Sequence, residues 1–251
     1  MSAVRIVSVL PALLGTYGDG GNVLVLRKRL EWRGIEVEVV TTSLGDGLPV
    51  QGDLYVLGGG EDDAQAVALA ELRHAGLASV VARGTPVLAV CAGLQLLGRS
   101  LPGPEGRETD GLGVLDLRTW RSDPRSLGEV VARPAEDLGL PLLTGFANHS
   151  GATELGPCAR PLATVLDGPG NAGPGDVVEG VLQGPVVGTY LHGPVLARNP
   201  ALADLLLERA VGESLQPLPE GPMEAVRAER LGRALKPKGE PAVGGLRRGG
   251  R

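Results

Sequence analysis

Short apolar runs alternate with longer amphipathic segments over the first hundred residues. Four runs rich in Val, Leu and Ile predict strands, at residues 4–10, 35–40, 53–57 and 86–90, of which 35–40 alternates between apolar and polar residues. Three helices are predicted between and after them: from an Asn22 N-cap to residue 32, over residues 62–82 as one helix or two joined near Gly76, and over residues 93–97. Strands that alternate with helices imply right-handed βαβ crossovers and therefore a parallel sheet.

The pattern changes after about residue 105, where Gly and Pro become frequent. Short apolar runs there predict antiparallel strands added to the same domain, at residues 113–117, 128–132, 163–166 and 177–182. A further apolar strand is predicted over residues 186–191, followed by helices over 199–210, with Asn199 as cap and Pro200 at its first position, and over 222–235. We therefore predict an α/β domain over residues 1–212, a helical extension over 213–235 and a disordered tail over 236–251.

Composition narrows the class of protein. Hydrophobic residues make up 43% of the 251 residues but aromatic residues only 2%, so the core is expected to be aliphatic. A net charge of -5 argues against a nucleic-acid surface. No apolar run approaches the roughly 20 residues of a membrane span. The N-terminus resembles a first strand more than a signal peptide, and two cysteines make no disulfide framework, so a cytoplasmic location is expected.

Cys91 stands where a predicted strand meets a helix, in TPVLAVCAGLQLLG at residues 85–98. Ligands of open α/β sheets bind at the carboxyl ends of the strands, and the small residues Ala92 and Gly93 suit a tight turn. The arrangement resembles a nucleophile elbow, in which the start of the following helix favours the reactive thiolate. The alternative is that Cys91 is a buried apolar residue of a core strand.

Two further segments are expected at the same edge of the sheet. His192 ends the predicted strand in VVGTYLHGP, so a Cys–His pair for acyl transfer can form there with Cys91. Gly58, Gly59 and Gly60 follow another strand and could supply an oxyanion N–H, although an ordinary tight turn explains them equally well. For His192 alone, a structural role at a strand end is the alternative.

Together these segments resemble the class I glutamine amidotransferases and, more closely, their cobyric-acid-synthase-like branch. The resemblance covers most of residues 4–210 and rests on YVLGGGEDDAQ, VLAVCAGLQLLG, DGLGVLDLRTW and VVGTYLHGPVLARNPALADLLLE. Within the branch, GDGGN and NHSG point to the GatD-type subunits of lipid II isoglutaminyl synthase. The resemblance implies a three-layer flavodoxin-like fold with a mostly parallel sheet.

The resemblance also implies roles for individual residues. Cys91 would attack the glutamine amide and His192 would move the proton to ammonia. Arg125, in DPRSLGEVV, would bind the α-carboxylate, which a guanidinium pairs with bidentately, although the residue alone could be a solvated loop arginine. Backbone N–H groups of an oxyanion hole would come from Gly59, Gly60 and Ala92. Gln95, one turn beyond the cysteine, is a weaker candidate for substrate contact.

One position departs from the wider class. Many class I members carry a Glu two residues after the catalytic His, and this chain has Pro194 there. An orienting acid normally fixes the imidazole. The GatD resemblance implies that an Asp of a partner subunit completes the triad, which predicts weak activity for the isolated chain. His149, in NHSG, is a second candidate base, but its predicted loop position favours a structural or gating role.

Two motifs that the sequence lacks indicate that the ATP-dependent half of the reaction takes place on another polypeptide. There is no GxxxxGK[ST] loop and no Cys/His cluster with zinc spacing, so neither a P-loop nucleotide nor a metal is expected on this chain. The resemblance implies a Mur-ligase-like, MurT-type partner that holds ATP and Mg²⁺, forms a heterodimer and amidates the D-glutamate of lipid II at the inner face of the membrane. The alternatives are a cobyrinate-type amidotransferase with another acceptor, a non-catalytic scaffold, and a Cys peptidase.

Overall fold

The computed structural model describes residues 3–103, 107–219 and 221–234, and these contain two sheets, seven α-helices and a short 3-10 helix over Glu136–Leu138. The strands are β1 (Val4–Val9), β2 (Val37–Thr41), β3 (Leu54–Leu57), β4 (Val87–Val90), β5 (Ser100–Pro102), β6 (Glu108–Asp110), β7 (Leu117–Pro134), β8 (Leu143–Leu155), β9 (Ala163–Asp167), β10 (Val178–Glu179), β11 (Val181–Gln183) and β12 (Val186–Thr189). The helices are α1 (Gly20–Glu31), α2 (Asp62–Leu72), α3 (Leu77–Ala82), α4 (Ala92–Leu97), α5 (Val195–Arg198), α6 (Pro200–Val211) and α7 (Pro222–Ala234).

The first sheet has the order β2-β1-β3-β4-β12-β11. Every pairing from β2 to β12 is parallel, and β11 closes the edge as an antiparallel neighbour of β12. Its central strands β3, β4 and β12 are buried throughout, as their Val- and Leu-rich runs predict. The order 2-1-3-4-5 is that of flavodoxin-like folds, so the predicted fold class is confirmed.

Apart from β11, which extends the first sheet, the strands predicted as antiparallel additions form a second sheet. Its order is β10-β9-β7-β5-β6, and β8 pairs with β7. The β7–β8 hairpin is long, and its register shifts between Arg121 and Ser126. The two sheets meet where Phe146 of β8 and His192 exchange both backbone hydrogen bonds, at 3.1 and 3.0 Å. This junction fixes the backbone that follows β12.

Several local predictions were wrong, each because tertiary contacts prevail over local preference. Of residues 113–117 only Leu117 is in a strand, and the segment around NHSG, predicted as a loop, lies in β8 because it pairs with β7. Asn22 does not cap α1, which begins at Gly20. Its buried side chain accepts a hydrogen bond from Leu196 N at 3.0 Å instead. The predicted strand over residues 177–182 breaks at Gly180, where φ is 64°.

The helices follow their predicted positions more closely. Residues 62–82 form two helices, α2 and α3, and Gly76 at the N-cap of α3 adopts the left-handed conformation that glycine tolerates. Asn199 and Pro200 stand at the N-cap and first position of α6, as predicted, although the Asn199 side chain bonds the backbone of Thr144 rather than α6. The predicted C-terminal helix is present as α7. The predicted tail, residues 236–251, lies outside the described residues.

Candidate active site

Cys91 lies on the predicted turn between β4 and α4. Its backbone has φ 51° and ψ −106°, and only Leu10 shares a positive φ among the described residues other than glycine. A non-glycine residue in this region is strained, and such strain is typical of a nucleophile held at a strand-to-helix turn. The turn is tight, because a Cβ added to Gly93 would lie 2.8 Å from Leu57 Cβ. The fold therefore holds the thiol at the carboxyl edge of the first sheet.

His192 reaches the same edge from the neighbouring strand. β12 pairs in parallel with β4, and Cys91 N donates to Thr189 O at 2.9 Å. The imidazole is buried, with its ring centroid 4.9 Å from that of Tyr17, and neither ring nitrogen has a protein hydrogen-bond partner among the described residues. Burial by itself lowers the pKa of His192, but Asp19 and Cys91 outweigh it and raise the pKa to about 9. The imidazole therefore interacts with both groups and favours its protonated form.

Asp19 supplies a carboxylate that the sequence analysis missed. It lies in the loop between β1 and α1, is buried, and places Oδ1 3.8 Å from His192 Nδ1. Its other oxygen accepts the Gly59 N–H at 2.7 Å. A carboxylate beside Nδ1 stabilises the imidazolium, as an orienting acid does in a catalytic triad. The position of Asp19 after β1, at the same sheet edge as Cys91, was the one signal in the sequence.

The glycine turn after β3 packs against this group. A Cβ on Gly59 would lie 3.0 Å from both His192 Cε1 and a ring carbon of Tyr17, so a side chain there would push on the imidazole. A Cβ on Gly60 would lie 2.6 Å from the Leu13 carbonyl oxygen. Because the Gly59 N–H is donated to Asp19, the candidate oxyanion donors that remain are Gly60 and Ala92.

Arg125 faces the cavity that contains Cys91. Its Nε donates to Asn148 Oδ1 at 2.6 Å, and its two Nη atoms reach Ser150 Oγ at 3.2 Å and the Tyr17 hydroxyl at 3.3 Å. Cys91, Gly60 and Arg125 all line this cavity, whereas His192 is buried beside it. The structure therefore brings the predicted thiol, arginine and glycine turn to one opening.

Comparison with known proteins decides the family. The model of the CobB/CobQ-like glutamine amidotransferase domain matches residues 5–200. The chain belongs to this family. The amidotransferase is 37% identical over 202 residues to the GatD subunit of lipid II isoglutaminyl synthase (glutamine-hydrolyzing) from Staphylococcus aureus, covering 78% of this chain and 80% of that one. It is 35% identical to the subunit of the same name from Streptococcus pneumoniae, with 81% and 80% covered.

Solved structures agree with this assignment. A crystal structure of a glutamine amidotransferase superposes with a TM-score of 0.56 at 25% identity, covering 82% of this chain and 98% of the other. The amidotransferase has no helix, within residues 3–103, 107–219 and 221–234, that is long and apolar enough to span a membrane. Over the same residues, no group of three or more His, Cys, Asp or Glu side chains could hold a metal ion.

A buried polar network lies beneath the amidotransferase site. Gln95 donates to the Tyr190 hydroxyl at 2.9 Å and accepts from Gln65 at 2.8 Å. The Tyr190 oxygen also lies 2.6 Å from Thr153 Oγ1, which lies 2.7 Å from Thr119 Oγ1. The Gln95 amide, predicted as a weak candidate for substrate contact, lines the cavity but is bonded within the protein. The network therefore ties α4 to the second sheet and holds the floor of the site.

His149 lies on β8, not on a loop, and lines the same cavity. Its ring stacks on Tyr190 with centroids 3.9 Å apart, and Nδ1 lies 2.7 Å from Gly151 O. Burial lowers the pKa of His149 to about 4, so the ring is neutral at physiological pH and Nδ1 donates to that carbonyl. Nε2 is then an acceptor, buried and without a protein partner among the described residues. A pKa this low makes His149 a weaker base than His192.

Proposed function

We propose that this amidotransferase hydrolyses L-glutamine by a Cys–His mechanism and delivers ammonia to a MurT-type ligase subunit. The observation that carries the proposal is that the strained Cys91 lies beside the His192 imidazole. Asp19 and the Cys91 thiol together raise the pKa of that imidazole. With its pKa at about 9, His192 is protonated at neutral pH and lies beside the thiol that acts as the nucleophile in acyl transfer.

The steps follow from the positions of these groups. The Cys91 thiolate adds to the carboxamide carbon of glutamine, and the new oxyanion is held by the N–H groups of Gly60 and Ala92. His192 gives its proton to the nitrogen, so that ammonia leaves and a thioester remains. Water, deprotonated by His192, then cleaves the thioester to give glutamate and the free thiol.

Asp19 is proposed as the residue that positions His192. At 3.8 Å from Nδ1 its carboxylate is too distant for a direct hydrogen bond, yet both groups are buried, where charge interactions are strong. Closure of the site around substrate would shorten this contact. An Asp of the partner subunit, the expectation from sequence, remains the alternative source of the acid.

The acceptor is proposed from the relatives. Both curated relatives cited above are named as subunits of lipid II isoglutaminyl synthase, and each is covered over 80% of its length. By this likeness, ammonia would serve a ligase that holds ATP and Mg²⁺ and amidates the D-glutamate of lipid II on the cytoplasmic side of the membrane. Arg125, held by Asn148 and Ser150, would bind the α-carboxylate of glutamine.

A glutaminase assay of the full-length chain, alone and with a co-expressed Mur-ligase-like protein, tests the proposal. Cys91→Ser should fold normally and release no ammonia, because a serine hydroxyl has no comparable anionic form at neutral pH. Cys158→Ser is the matched control, since Cys158 is the exposed second cysteine and should be dispensable. Ammonia release by Cys91→Ser at the wild-type rate would contradict the mechanism. Failure of the ligase complex to amidate lipid II would contradict the acceptor.

A further inference from the structure

Glu61 stands at the N-cap position of α2, but its side chain does not cap the helix. The carboxylate instead lines the cavity of Cys91 and accepts a hydrogen bond from the Tyr17 hydroxyl at 2.6 Å. Glu is not among the residues that favour the N-cap position, so this side chain is free to turn away from the helix. The hydrogen bond from Tyr17 holds it toward the cavity instead.

The charge of Glu61 is not neutralised by a cation. Among the described residues, Glu61 forms no ion pair, whereas the adjacent Asp62 is paired with Arg121. The partner of Glu61 is a neutral phenol. Burial raises the pKa of Tyr17, and the carboxylate beside it raises that pKa further, so the phenol keeps its proton and donates it. The Glu61 carboxylate thus faces the cavity with room for a positive group.

Tyr17 also fixes the distance from Glu61 to Arg125. The same phenol oxygen lies 2.6 Å from Glu61 Oε1 and 3.3 Å from Arg125 Nη2, so these two charged atoms are at most about 6 Å apart. The ammonium and carboxylate of an α-amino acid are about 3 Å apart. A zwitterionic head group can therefore bridge the guanidinium and the carboxylate with one hydrogen bond to each.

We propose that Glu61, positioned by Tyr17, binds the α-ammonium of the substrate while Arg125 binds its α-carboxylate. The subsite deepens the function proposed above and depends on it, because its ligand is the glutamine that Cys91 attacks. It restricts the substrate to free α-amino acids. A glutamine whose amine is missing or acylated would lack the hydrogen bond and the charge interaction with the Glu61 carboxylate.

Steady-state glutaminase kinetics of the full-length chain, with its ligase partner present, test this subsite. The substrates are L-glutamine and glutaramate, which is glutamine without the α-amine. Glu61→Gln should raise KM for L-glutamine by about ten- to a hundredfold with kcat within a few fold, and should leave KM for glutaramate unchanged or lower it. Tyr17→Phe keeps the ring beside His192 and should show a smaller shift of the same kind. Asp63→Asn, in the first turn of α2 but outside the cavity, is the matched control and should match wild type.

The outcomes separate the two proposals. A wild-type complex that hydrolyses glutamine, with Glu61→Gln showing the same preference for L-glutamine over glutaramate as wild type, overturns the subsite alone. An equal rise of KM for both substrates overturns it as well, because the variant would then have damaged the cavity as a whole. A wild-type complex that releases no ammonia from L-glutamine overturns the proposed function, and the subsite falls with it.

Discussion

Replacing Asp19 by Asn tests the assignment of the acid beside His192. The change removes one negative charge and keeps the size of a buried side chain. The carboxylate is 3.8 Å from His192 Nδ1, and two unit charges about 4 Å apart interact by about 4 kcal/mol at an effective dielectric constant near 20. Without that charge, the pKa of His192 should fall from about 9 toward its ordinary value of 6.5 or below. A loss of about 3–4 kcal/mol in stabilising the imidazolium corresponds to a kcat lower by roughly two to three orders of magnitude.

Two measurements on the full-length chain report this change. The first is glutaminase kcat. The second is the pH profile of Cys91 alkylation by iodoacetamide: its midpoint follows formation of the thiolate, whereas a structural defect that exposes the buried thiol would change the rate at every pH without moving the midpoint. Relative to wild type, the pH profile of alkylation should move to higher pH in Asp19→Asn, because a positively charged His192 favours the thiolate and the variant loses that charge sooner. Asp46→Asn, an exposed Asp in the loop after β2, is the matched control, and thermal melting checks folding.

The result that refutes the argument is specific. If Asp19→Asn keeps wild-type kcat and the wild-type pH profile of alkylation, the carboxylate does not act on His192. The acid would then have to come from the partner subunit, as the sequence resemblance implies. In that case the ligase should raise the activity of wild type and of Asp19→Asn by the same factor.

Three other substitutions probe the site and the core. Gly59→Ala should lower kcat by about ten- to a hundredfold, since its Cβ would lie 3.0 Å from His192 Cε1. Gly20→Ala, whose Cβ would meet nothing within 4 Å, is its control, and equal kinetics for the two would refute this. Arg125→Ala should raise KM for glutamine at least tenfold yet spare synthesis from free ammonia by the complex. If that synthesis also fails, the arginine is structural. Burial raises the pKa of Glu179 from 4.5 to about 7. Between these pH values the unfolded chain loses a proton that the folded chain keeps, so the free energy of unfolding should fall by at most about 3 kcal/mol as the pH rises. Glu179→Gln should flatten that part of the pH–stability curve in urea unfolding, and an unchanged curve would contradict it.

The elements that carry Cys91 and His192 could be predicted because both are local patterns. A short Val- and Leu-rich run that ends in a reactive residue needs no tertiary information to be recognised as a buried strand. Parallel pairing then brings Cys91 and His192 together, because the carboxyl ends of β4 and β12 must lie at one edge of the sheet. Arg125 could be placed only by resemblance, since nothing local shows that the β7 backbone turns it toward the thiol.

The second sheet could not be predicted in the same way. The segment around His149 contains Gly, Asn and Ser, which locally favour turns. It becomes part of a 13-residue strand because β7 pairs with it across the hairpin. Its inward side chains include His149, which the register turns onto Tyr190. A strand that forms only because a partner strand pairs with it shows no alternation of apolar and polar residues, so its sequence alone predicts a loop.

The acid near His192 arises from the topology of the first sheet. The strand order reverses between β1 and β3, and the residues after these two strands meet there, which is where Asp19 bonds the amide of Gly59. Ligand sites of such sheets form at this reversal because the loops diverge from it. A carboxylate on the β1 loop therefore reaches the catalytic edge without lying near His192 in sequence.

Pro194 occupies the position, two residues after the histidine, where many class I members carry a Glu. A Cβ on Gly21 would lie 2.3 Å from Pro194 Cγ, so the proline ring packs directly on the bare backbone at the start of α1. A hydrogen bond of 3.0 Å from Leu196 N to Asn22 Oδ1 joins the same two segments. These contacts hold the first turn of α1 against the segment after His192, and Asp19 immediately precedes that turn. The position that carries a carboxylate in many class I members thus serves here as a packing surface, and the carboxylate near the imidazole comes from Asp19, in the loop between β1 and α1.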